Sequence, residues 1–156
     1  MTERSIILSN SIIAPFREDH DLLFEIAAEM RAFVAGPEPT DPLLLFHLRR
    51  RFSQKLTAHL HAEDWVLYPR LRASKNRTTA ELADRFNREM GDLSARYSTY
   101  ARHWTTDTAR TDWPGFRAAT VAILDTLAER MERENDELYP RPDGDEADAA
   151  ERLRAA

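Results

Sequence analysis

Residues Ala58–Leu71 read AHLHAEDWVLYPRL, and the pattern of this stretch decides the fold. His59 and Glu63 stand four residues apart, which on a helix puts one above the other on a single face. Phe52, Leu56 and Leu67 share that face, because the series 52, 56, 59, 63, 67 advances by steps of four, three, four and four. Two polar side chains therefore fall on a stripe that packing would bury. A buried ionisable group without a partner costs on the order of several kcal/mol, so something must compensate the pair. A metal ion held between helices would do so, and so would a salt-bridge or hydrogen-bond network.

Working outward, the helix carrying this stretch opens at Thr40 or Asp41 as N-cap with Pro42 just inside, and runs until Pro69 kinks or ends it. Upstream, Pro15 suits the first turn of a preceding helix, with an inner stripe of Phe16, His20, Leu23, Ala27, Met30 and Val34 that Gly36 and Pro37 terminate. His20 is thereby on the inside. Residues 1–14 read as a short arm whose pairs Ile6-Ile7 and Ile12-Ile13 pack on the outside of the helices downstream. Beyond Pro69, Asn76–Thr79 make a turn, and Thr78 with Glu81 has the form of a capping box. A third helix then places Leu82, Phe86, Met90, Leu93, Tyr97, Tyr100 and Trp104 on one face. After a polar loop, Asp112 ahead of Trp113-Pro114 opens a fourth, with Phe116, Ile123, Leu127, Glu134 and Leu138 inside and a stop at Tyr139-Pro140. Residues 141–156 form an acidic, Ala-rich tail.

Composition agrees with this pattern. The 156 residues make one domain, 15–140, and at 42% hydrophobic they can fill a core. Only four glycines and 31% charged residues favour helix over sheet, giving an all-α, antiparallel up-down four-helix bundle. A net charge of -5 argues against a nucleic-acid partner. With no cysteine, thiolate metal sites and cysteine nucleophiles are excluded, and any metal must be held by His, carboxylate or water. The N-terminus lacks a leader pattern and no apolar run of membrane-spanning length occurs, which predicts a soluble, cytoplasmic chain without a membrane partner.

The chain also matches itself. Phe16-Arg-Glu-Asp-His20 pairs with Phe86-Asn-Arg-Glu-Met90 at a separation of 70, and Glu63-Asp-Trp-Val-Leu-Tyr-Pro-Arg70 with Glu134-Asn-Asp-Glu-Leu-Tyr-Pro-Arg141 at 71. Two helix pairs related in this way can pack about a pseudo-twofold axis, with corresponding residues facing across the centre. Tyr68 and Tyr139, at matching ends, read as core plugs whose hydroxyls reach polar partners. His47, His61 and His103 fall off the inner stripes and read as surface or packing residues.

These residues carry a resemblance. The chain from about 15 to 140 resembles an HHE-type hemerythrin-like domain, a family with a His on helix one, His-x-x-x-Glu on helix two and the same set repeated on helices three and four. The resemblance implies a non-haem di-iron centre bridged by the two Glu carboxylates in the family and, from this chain, the ligands His20, His59, Glu63 and Glu134. Met90 stands where the family has its third His, and Arg130 corresponds to His59 at the separation of 71. Two readings remain open. One is a bundle holding a single iron, with manganese or zinc as substitutes, that binds or senses oxygen, iron or a small oxidant without turnover. The other is a metal-free, degenerate bundle serving as a structural or protein-interaction module, alone or as a homodimer. No catalytic residue is assigned in either, and the direction in which Arg130 points bears on both.

Overall fold

The computed structural model describes residues 2–141 and Ala155, with residues 2–11 by backbone alone. The side chains of Ile6 and Ile7 and nearly all of the acidic tail therefore lie outside the described residues. Among those described, the helices are α1 (Thr2–Ala35), α2 (Pro42–Ala62), α3 (Tyr68–Arg72), α4 (Arg77–Met90), α5 (Leu93–His103), α6 (Thr106–Thr111) and α7 (Trp113–Arg133), with two π-helical turns at Glu63–Leu67 and Glu134–Leu138. None is long and apolar enough to cross a membrane.

Together they form an antiparallel bundle of four rods. The first is α1, the second α2 with its π-turn and α3, the third α4 and α5, and the fourth α7 with its π-turn; α1 packs on α2 and α7, α5 on α7, and α3 on α4. The starts follow from local chemistry. Asp41 caps α2 by accepting from the Leu43 N–H at 2.9 Å with Pro42 in the first turn, and Asp112 caps α7 by accepting from the Gly115 N–H at 3.0 Å.

Several details differ from the sequence pattern. Helix α1 begins at Thr2 and carries Pro15 inside it. An internal proline removes one backbone bond and strains the turn before it, but Ile13 and Phe16 on either side both pack into the core, so burial holds the helix across it. Ile13 thus faces inward and not onto the outside of the bundle. Asn76, not Thr78, caps α4, accepting from the Thr79 N–H at 3.1 Å. The polar loop after Trp104 closes into α6, capped by Thr105.

The long third helix is broken at Gly91-Asp92, and the break has a use. The last carbonyls of a helix have no intrahelical donor, and the carbonyl of Met90 is left to accept from Arg130 Nη1 at 3.2 Å.

The core comes in two parts. Leu23, Ile26, Met30, Leu45, Phe52, Leu56, Leu60, Leu93, Tyr97, Phe116, Leu124, Leu127 and Met131 belong to the larger. Leu67, Tyr68, Leu71, Leu82, Ala83, Phe86, Leu138 and Tyr139 form the smaller. Along every rod the changeover falls at the same level: between Phe16 and Leu23, Leu60 and Leu67, Met90 and Leu93, and Met131 and Leu138. The buried polar residues His20, His59, Glu63, Arg130 and Glu134 make up the layer between.

The role of the break is testable. A Cβ at residue 91 would run into the Asn87 carbonyl oxygen, so Gly91→Ala should force the junction to shift and cost about 1–3 kcal/mol in a urea titration. An unchanged midpoint would show that the junction tolerates a side chain.

Candidate metal centre

Each rod except the third contributes a side chain to the polar layer, and the two π-turns aim the carboxylates. Pro69 has no N–H to give, and a proline ring collides with the carbonyl four residues before it. Opening the preceding turn by one residue relieves both problems: the Tyr68 N–H bonds the Glu63 carbonyl, and Pro69 falls in the first turn of α3. The second Tyr-Pro does the same, with the Tyr139 N–H on the Glu134 carbonyl at 2.8 Å. The wider turn brings Glu63, Leu67 and Tyr68 onto one buried face, and likewise Glu134, Leu138 and Tyr139, while Trp65 and Val66 are turned outward at 73% and 64% exposure.

His20, His59, Glu63 and Glu134, the four residues singled out from the sequence, come together. One ligand atom from each lies within 4.8 Å of all the others, and all four side chains are buried. His20 Nε2 is 3.0 Å from His59 Nε2, 3.5 Å from Glu63 Oε1 and 3.3 Å from Glu134 Oε2, and His59 Nε2 is 3.1 Å from Glu63 Oε1.

The outer nitrogens are anchored. His20 Nδ1 bonds Asn135 Oδ1 at 2.8 Å, and His59 Nδ1 bonds Asp19 Oδ2 at 3.1 Å. An amide oxygen and a carboxylate can only accept, so each Nδ1 donates outward and each Nε2 is the nitrogen turned into the cage. Asp19 is itself ion-paired with Lys55. His47, His61 and His103 are all on the surface.

Arg130 points inward and is 2% exposed. Its Nε donates to Glu134 Oε1 at 2.8 Å, and its Nη2 to Glu63 Oε2 at 2.8 Å and Asp64 Oδ1 at 2.9 Å, while the guanidinium carbon sits 5.3 Å from the centre of the Tyr68 ring. Each carboxylate is therefore divided. Glu134 Oε1 and Glu63 Oε2 serve the guanidinium, while Glu134 Oε2 and Glu63 Oε1 face the imidazoles. The two tyrosines bond crosswise, Tyr68 to Glu134 Oε1 at 2.7 Å and Tyr139 to Glu63 Oε1, with the Tyr139 hydroxyl also 3.2 Å from His20 Nε2. Met90 presents only its backbone to Arg130; its sulfur meets Arg133 Nη1 at 3.7 Å.

Charge follows the geometry. Burial works against ionising Glu63, yet the bonds from His20 and His59 and the charge of Arg130 hold its carboxyl well below the usual range. Burial, and then the neighbouring Glu63 charge, push Glu134 up. Burial also opposes a charged His20, but Glu134 and Glu63 outweigh it and raise its pKa to about 9. With no ion bound, the cage thus draws a proton into the place where its acceptors converge.

Sequence reasoning missed the outer partners Asp19, Asn135 and Asp64. A signal was available for two of them, since Asp64 and Asn135 directly follow the glutamate in each copy of the matched motif.

The donor set tests well for a cation. Two neutral imidazole nitrogens and two carboxylate oxygens suit a divalent ion of the iron, manganese or zinc kind. Glu134 Oε2, fully buried, accepts no hydrogen bond among the described residues, and such an atom calls for a partner. The arrangement defines a class of protein: a helical bundle with a buried histidine–carboxylate cage suited to a positive ion. The chain matches the hemerythrin HHE cation-binding domain family over residues 11–141 and belongs to that family. No curated protein and no solved structure matches it.

The metal-free protein should depend on pH. Because the folded pKa of His20, about 9, lies above its ordinary 6.5, the proton's stabilisation is complete below about pH 6.5 and is lost as pH rises through about 9. Melting of chelator-treated protein should show the midpoint falling across that window. A flat profile would mean that His20 is not the proton's seat.

Proposed function

We propose that this protein binds one divalent metal ion, iron by preference, through His20 Nε2, His59 Nε2, Glu63 Oε1 and Glu134 Oε2, and acts as a cytoplasmic sensor or binder of iron, oxygen or a small oxidant. The observation that carries this reading is the convergence of two imidazole nitrogens, whose outer nitrogens are already engaged, on Glu63 Oε1 and on the buried Glu134 Oε2, which accepts no hydrogen bond among the described residues and faces His20 Nε2 at 3.3 Å. An ion there would supply a Lewis-acidic, redox-capable centre. The residues of the chain fix its donors: Asp19 and Asn135 hold the imidazole tautomers, and Tyr68 and Tyr139 orient the carboxylates. The cage is read as serving binding and not turnover, since its polar side chains are spent on one another.

The competing reading is a metal-free bundle with a structural or protein-binding role. Arg130 favours it, because one guanidinium and one protonated imidazole balance the two glutamates without any ion.

Metal content separates the two. Protein purified anaerobically from iron-replete cells should hold close to one equivalent of iron by elemental analysis; less than about a tenth, with no gain on reconstitution, rules the metal reading out. Asp19→Ala, which removes the anchor of His59, should weaken Mn²⁺ or Fe²⁺ affinity by roughly 10–100-fold in a competition titration while the bundle stays helical by circular dichroism.

A further inference from the structure

Opposite the imidazoles, the carboxylate pair is spanned by a cation that the chain supplies itself. Arg130 bonds one oxygen of each glutamate at 2.8 Å and leaves the other oxygen of each to the histidine side. Two further donors bond Asp64 and the Met90 carbonyl, which the break between α4 and α5 has freed. Its guanidinium carbon lies over the Tyr68 ring, 5.3 Å from the centre. Arg130 occupies the place that matches His59 in the repeat, so the guanidinium stands at the second half of a duplicated site.

We infer that Arg130 is a resident cation: its guanidinium fills the second half-site, bridging Glu63 and Glu134, so that the cage keeps its shape without a metal and admits one external ion only. Two carboxylates buried side by side repel each other, and without a positive charge between them one must be protonated or the layer must open. A mobile metal would satisfy them only while bound. A covalently attached guanidinium satisfies them always, and its planar fork matches two carboxylate oxygens at once. Loading and unloading of the histidine side then need no unfolding. The limit to one ion rests on the metal reading above, whereas the structural role of the charge stands without it.

The test compares charge with bulk in chelator-treated protein. Arg130→Met keeps much of the volume and loses the charge; its midpoint should fall by roughly 10 °C or more. Arg130→Lys, with the charge but not the fork, should melt clearly above Arg130→Met. Arg130→Ala should regain part of its lost midpoint in low-millimolar guanidinium chloride and none in sodium chloride of equal ionic strength. If Arg130→Ala does not fold alone, recovery of helical circular dichroism on adding guanidinium is the readout. Arg130→Lys melting no higher than Arg130→Met, or an Arg130→Ala defect untouched by guanidinium, overturns the inference. Wild-type metal content is scored separately. Protein without metal whose variants behave as expected leaves the resident cation standing and removes the one-ion reading; protein with one ion whose Lys and Met variants melt alike does the reverse.

Discussion

Two glutamates brought together in the buried interior are the constraint on which this bundle rests. Glu63 and Glu134 are shut off from bulk solvent, which would otherwise screen their repulsion, and the other features of the polar layer answer to them. Arg130 takes one oxygen of each, the tyrosines cross over to brace them, and the imidazoles approach the oxygens left. Positive charge, fixed or borrowed, is what lets the four rods close.

The layer also organises the apolar packing. Leucines and aromatics above and below it form separate clusters, so the polar residues of each rod that supplies them lie between two apolar stretches. Such a layer contributes little net stability compared with leucines of the same volume, but it constrains register. If α2 slid by one turn against α7, Glu63 would lose its place against Arg130.

Much of this was legible in the sequence. Proline and aspartate marked the starts of α2 and α7, and the 3.6-residue period put His20, His59, Glu63 and Glu134 on inner faces, where the structure unites them. That legibility has a plain cause: caps and stripes are local properties of one helix. What stayed hidden depends on two. The partnership of Asp19 with His59 joins α1 to α2, and that of Asn135 with His20 joins the end of the fourth rod to α1; no spacing along a single helix encodes either. Pro15 pointed to a helix start because its missing N–H is a local cost, whereas the burial of Ile13 and Phe16 that offsets it is tertiary. The π-turns escaped for a similar reason. Tyr-Pro signals that the α-helical ladder must change, but an end, a kink and a widened turn all satisfy that signal, and packing of Tyr68 and Tyr139 selects among them.

A π-turn is one residue longer than the α-turn it replaces, so each behaves as an insertion that its helix has absorbed. One extra residue rotates everything downstream by about 100° relative to an uninterrupted helix. In both rods, that rotation is the difference between a tyrosine hydroxyl held against the opposite carboxylate and one left in solvent. The geometry of the centre is therefore written partly as a phase shift in the backbone, and deleting any one residue between Glu63 and Leu67 would reset that phase with all four cage residues still present.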